Sequence, residues 1–131
     1  MASRGYADLH EHLEALRKAG LLITVERPIN KDTEMHPLVR WQFRGGIAEE
    51  QRRAFLFTQP TDGQGRRFEG AVLIGGLAAN RSIYRIGIGH ELEQVGAAWS
   101  RAIAAPTPPQ VVAKAACQEV VTLGDDLVHR F

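Results

Sequence analysis

The stretch "HLEALRKAGLLITVERPINKDTEMHPLVRWQF", residues 12 to 43, decides the fold, because its hydrophobic period changes twice. Leu9, Leu13 and Leu16 recur at i, i+4 and i+7, while His10, Glu11, Glu14, Arg17 and Lys18 fill the other faces. This predicts a helix from about Tyr6 to Ala19. Gly20 can turn left-handed behind it, and Arg17 and Lys18 suit the negative end of the helix dipole. "LLITVER", 21 to 27, is apolar and β-branched until Pro28 stops it, which predicts a strand. A second helix follows, with Asp32 or Thr33 as its cap and Glu34 near its positive end. Met35, Leu38, Val39 and Phe43 form its stripe, Pro37 is tolerable only within its first turn, and Gly45-Gly46 ends it.

The pattern repeats outward from there. "AFLFTQ", 54 to 59, predicts a strand; "PTDGQGRRFEG" is rich in turn formers; and "AVLIGG", 71 to 76, predicts the strand that returns in a hairpin-like connection. Asn80 opens a short helix with Ile83 and Ile86 inward and Gly87 closing it. A longer helix is expected from about His90 to Ala104, with Leu92, Val95, Trp99 and Ile103 on one face. "APTPPQ", 105 to 110, stops it. The expectation is an α/β (α+β) chain: a small mixed sheet of three to four strands packed with three to four helices, followed by an incomplete C-terminal strand at Gln118 to Leu123. Residues 1–110 read as one α/β domain and 111–131 as a linker and the start of something else.

At 131 residues, with 44% hydrophobic and 24% charged residues, the chain has ordinary globular usage and enough length for one core. Sixteen basic against fifteen acidic residues give a net charge of +1, scattered along the sequence, so nucleic-acid binding has no electrostatic footprint. Arg52-Arg53 and Arg66-Arg67 are the nearest thing to a cluster and read as solvated charges. One cysteine makes no internal disulfide, no segment has signal-peptide character, and no run approaches the roughly 20 apolar residues of a membrane span. The expected address is the cytoplasm.

No catalytic, cofactor-binding or metal residue is nominated by the sequence itself. His10 and His12 point to different helical faces, unlike an i, i+4 zinc pair, and His36, His90 and His129 stand apart. Gly75-Gly76 before Asn80 has the outline of a phosphate-cradling turn, yet its spacing is neither GxGxxG nor GxxxxGK[ST], so a sharp strand-to-helix turn is the plainer reading. Gly87-Ile88-Gly89 is read the same way. Ser3, Ser82 and Ser100 lack the strained turn of a nucleophile, Cys117 reads as a small packed residue, and Glu49-Glu50 and Asp125-Asp126 read as exposed pairs.

Several strings, in order, resemble one family. "DLHEHLEALRKAGLLITVERPINKDTEM" is similar to the opening of UbiD-family decarboxylases, with Asn30 where the V-D-x-x-x-E-like segment usually has Asp. "RAFLFTQPTDGQG" resembles the family's P-A-L-L-F-E-N strand and turn, with Arg53 in place of proline. "AVLIGGLAANRSIYRIGIG" is similar to G-N-L-F-G-S-R-x-R-x-A-x-A-L-G, with Gly76, Leu77, Arg81 and Gly87 at comparable places, and "CQEVVTLGDD", 117 to 126, to C-Q-E-V-V-x-x-G-D-D.

The resemblance implies the N-terminal domain of a carboxy-lyase that reversibly decarboxylates aromatic or α,β-unsaturated acids with prenylated FMN, Mn²⁺ and K⁺. It implies that 111–131 includes the first strand of a truncated, cofactor-binding split barrel. The Glu-Arg-Glu proton-transfer group and the Asn, His and Glu metal ligands of that family belong to the part that follows, and no position here matches them. The implied partner is the remainder of the enzyme, in cis or as a separate chain. The alternative is a free-standing interaction module or small subunit that docks on a separate decarboxylase chain, with exposed apolar residues near Val111, Val112, Val120 and Val121.

Overall fold

The computed structural model describes residues 8–113. The expected strand at Gln118 to Leu123, together with Cys117, Val120, Val121, Asp125, Asp126 and His129, lies outside the described residues.

Helix α1 (Leu9–Lys18) is capped by Asp8, whose carboxylate accepts the N–H of Glu11 at 3.0 Å, and is followed by Gly20 at φ 68°. The strand after it, β1 (Leu22–Val25), is shorter than the apolar run that predicts it. A two-residue strand, β2 (Ile29–Asn30), leads into a wide π-type turn at Lys31–Met35 and then α2 (His36–Arg44). The next strands are β3 (Ala54–Phe57), β4 (Pro60–Thr61) and β5 (Val72–Ile74). α3 (Arg81–Ile88) and α4 (Val95–Ala104) complete the described elements.

The main sheet has the order β1-β3-β5, with β1 parallel to β3 and β3 antiparallel to β5. β2 and β4 form a separate parallel pair. A parallel neighbour needs a crossover, which α2 supplies between β1 and β3; the antiparallel neighbour needs only the 58–71 loop. The expected mixed α/β architecture is the one observed.

Strand alternation sends each strand's side chains to two cores. Ala54 joins Leu16, Leu21, Ala79 and Ile83 on the α1 and α3 side, with Leu22 and Leu73 packed against them. Phe57 joins Ile29, Met35 and Val39 on the α2 side, with Val25, Phe55, Val72 and Ile74 around them. The parallel rings of Phe55 and Phe57, centroids 5.9 Å apart, share that face. Fully burying one such side chain contributes about 1.5–3 kcal/mol.

Two expectations are corrected here. The cap of the second helical segment is Asn30, whose side-chain oxygen accepts the N–H groups of Asp32 and Thr33, because helical turning starts at Lys31. Pro37, the second residue of α2, lies within the first turn of that helix, as expected. On α2 the buried residues are Val39 and Gln42, following Met35 at i+4 and i+7, whereas Leu38 and Phe43 are exposed.

α3 ends at Gly89, at φ 66°, two residues later than the sequence predicts. Gly87 lies inside α3, where a Cβ on it would meet His12 and Leu77 at an ordinary 3.6 Å. The chain divides into two compact units, Met1–Ala97 and Ala98–Phe131. Trp99 and Ile103 are exposed instead of forming the expected stripe of α4.

Candidate functional site

Two polar junctions form where strands hand over to helices. At the first, Asn30 does three things at once. Its Oδ1 accepts Asp32 N–H at 2.8 Å and Thr33 N–H at 3.1 Å, its own N–H donates to Glu34 Oε2 at 2.8 Å, and its Nδ2 donates to the Asp62 carbonyl at 3.1 Å. The i, i+4 pairing of residues 30 and 34 is a reciprocal cap. An aspartate at position 30 would keep the cap but lose the Nδ2 donor, so the asparagine ties β2 to the 62–66 loop.

Asp62, buried, organises that loop. Its Oδ1 accepts the N–H groups of Gln64 and Arg66, each at 2.9 Å, and its Oδ2 accepts Arg66 Nε at 2.6 Å. Asp32 Oδ2 takes Gly63 N–H at 3.0 Å while Lys31 Nζ stands 2.6 Å from its Oδ1. Burial alone would raise the Asp62 carboxyl; the Arg66 guanidinium and the Arg66 and Gln64 N–H groups outweigh it and hold the carboxyl below the usual range. Lys31, then Gly63, does the same for Asp32, and the Asn30 N–H, aided by Arg27, for Glu34. A general acid at neutral pH needs the opposite shift. These carboxylates are ionised clamps, each already accepting hydrogen bonds from its own loop or cap.

At the second junction, Gly75 (φ 74°) and Gly76 turn β5 into α3. A Cβ on Gly75 would lie 3.1 Å from that of Ala79, and one on Gly76 only 2.5 Å from Leu73 Cδ2. The Gly76 carbonyl accepts a 2.7 Å hydrogen bond from His12 Nε2, so that nitrogen carries the proton. His12 is therefore a buried tie between α1 and the turn, not a solvated histidine.

Asn80 caps α3 through Ile83 N–H at 2.8 Å and donates to the Arg52 carbonyl at 2.7 Å. The next free N–H, that of Arg81, donates to Glu49 Oε1. A carboxylate of the chain itself thus occupies the position where a helix N-terminus would hold a phosphate. The shallow cleft beside it, about 250 Å³, is lined by Glu49, Arg52, Asn80, Arg81 and Tyr84 among others.

The remaining sequence candidates are dispersed. His10, His36 and His90 are exposed on α1, at the start of α2 and after α3. Among the described residues no three His, Cys, Asp or Glu side chains converge to hold a metal ion. Ser82 and Ser100 are exposed, Glu49 caps α3, and Glu50 is exposed. Of the arginine pairs, Arg66 and Arg67 are exposed as expected, whereas Arg52-Arg53 is less solvated: the Arg52 guanidinium lies 5.2 Å from the Phe43 ring centroid, and that of Arg53 donates to the carbonyls of Glu50 and Arg52. Arg66 is held by Asp62, as above.

One feature the sequence reading missed is the outward face of α2, where Trp41 is 60% exposed between Arg40 and Arg44. Its signal was present in "HPLVRWQFR", 36 to 44, a helix with no acidic residue.

Among the described residues no helix is long and apolar enough to cross a membrane. Compared with family models, with curated proteins and with solved structures, the chain matches none. The resemblance to UbiD-type decarboxylases accordingly rests on the strings quoted above.

Proposed function

We propose that this chain is the N-terminal α/β domain, or a piece, of a UbiD-like carboxy-lyase, and that it contributes packing instead of chemistry. The observation that carries the reading is the collinear order of four family-like strings along the chain. Two positions within those strings have structural jobs compatible with it: Glu34 accepts the Asn30 N–H in a cap, and Gly76 makes a turn where a Cβ would press on Leu73.

Prenylated FMN, Mn²⁺ and K⁺ would supply the decarboxylation in the complete enzyme, because cofactors carry such chemistry and the protein orients them. The described residues do not fit that group: the helix N-terminus suited to a phosphate is taken by Glu49, and the buried carboxylate Asp62 is committed to Arg66. No step is assigned to this chain. Its partner is the rest of the decarboxylase, in cis or as a second chain, and its expected address is the cytoplasm.

Titration of the purified chain with prenylated FMN and Mn²⁺, read by flavin fluorescence, tests this. The expected result is no saturable binding; turnover of a cinnamate-type acid by the chain alone would overturn it. The second reading, a free-standing interaction module, is favoured by the exposed aromatic and basic face of α2.

A further inference from the structure

We infer that the outward face of α2 is a docking surface for an acidic patch on a partner protein. Met35, Val39 and Gln42 turn inward, which leaves Leu38, Arg40, Trp41 and Arg44 facing solvent. Arg40 and Arg44 are one helical turn apart, as are Leu38 and Trp41, so charge and apolar surface adjoin.

The charges are not neutralised from within. Arg17, Arg27, Arg66 and Arg85 each face a carboxylate, whereas among the described residues neither Arg40 nor Arg44 enters an ion pair. The helix has no acid of its own. In the flanking segments Glu34 is turned to Arg27 and Asn30, Glu49 is turned to Arg81, and Glu50 makes no ion pair with α2. Two like charges at i, i+4 repel mildly, so the arrangement has a local cost with no internal return. The Trp41 ring packs over Gly45, so closely that a Cβ on that glycine would lie 2.8 Å from it. An exposed Trp beside unpaired Arg, without Lys, Asp or Glu, is the composition of an interface hot spot.

Complementarity selects the occupant. A second copy meeting this face about a two-fold axis would set Arg40 and Arg44 against themselves, and two arginines are too few for a nucleic-acid track. An acidic protein surface satisfies both guanidinium groups and covers Trp41. The inference stands apart from the carboxy-lyase reading.

The test places a photo-cross-linking benzoylphenylalanine at position 38 of the full chain in its native host and identifies the cross-linked peptide by mass spectrometry. The expected product joins an Asp- or Glu-rich segment of one protein. Its yield should fall at least tenfold in the Arg40→Glu, Arg44→Glu double variant, remain unchanged in Arg17→Glu, and return when acids of the cross-linked segment are changed to Arg. Thermal melts matching the parent chain keep the comparison valid for these surface substitutions. Cross-links to a second copy, lipid, nucleic acid or a segment without acids, or none at all, would overturn the inference, as would a yield indifferent to the double reversal. A flavin-binding barrel as partner would support both readings; a different acidic protein would support the surface and count against the carboxy-lyase assignment.

Discussion

The Gln42 side chain pairs with both backbone polar groups of Arg53: its Nε2 donates to the Arg53 carbonyl at 3.0 Å and its Oε1 accepts the Arg53 N–H at 2.9 Å. The amide so extends the ladder from the buried face of α2 to the residue just before β3. Gln42→Leu keeps the volume but orphans two half-buried backbone groups. We expect a loss of about 2–4 kcal/mol in urea unfolding, and a loss at least as large for Gln42→Glu, which sets a buried carboxylate oxygen against the Arg53 carbonyl.

Phe57 belongs to the core on the α2 side and Ile83 to the core on the α1 and α3 side, both fully buried. Phe57→Ala should cost about 3–5 kcal/mol and Ile83→Val about 0.5–1.5 kcal/mol. Because the sheet separates the two sites, the double variant should be additive within about 0.5 kcal/mol by the same measurement.

The turn at Gly76 is a place where a methyl group does not fit, since its Cβ would approach Leu73 Cδ2 to 2.5 Å. Gly76→Ala should therefore destabilise by about 1–3 kcal/mol. In a double-variant cycle with Leu73→Ala the penalty should shrink, because the clashing atoms are gone. Equal penalties in both backgrounds would locate the strain in the backbone instead.

These tests bear on how far the sequence could be read. The helix–strand–helix order was legible because α1, β1 and α2 each carry a distinct hydrophobic period, and Asn80 announced α3 by its capping chemistry. Strand ends were less legible: the apolar run of 21–27 outlasts β1, since Glu26 and Arg27 turn out to solvent where β3's partners end. The role of Asn30 and the burial of Asp62 were hidden because they depend on contacts 31–32 positions apart in the chain. The burial of His12 was hidden for a similar reason, as its partner Gly76 is 64 residues away.

Acid stability follows from the clamps. Asp62, Asp32 and Glu34 have carboxyls held below their ordinary values in the fold. The fold favours their ionised forms, so their contribution is present above the ordinary carboxylate range near pH 4 and is lost as pH falls through the lowered folded values. The urea midpoint should be flat from about pH 7 to 5 and fall below about pH 4. Asp62→Asn should lower the midpoint at neutral pH and flatten the acid limb; an unchanged limb would show that this carboxylate is not part of it.

The most direct measurement of the central claim is the nucleotide sequence following the codon for Phe131. The account predicts that it encodes, in frame or in the adjacent gene, a flavin-binding split barrel with a Glu-Arg-Glu group and Asn, His and Glu metal ligands. Co-expression of the two parts should then yield carboxy-lyase activity. Downstream DNA that encodes no such barrel would contradict the assignment of this chain to a UbiD-like enzyme.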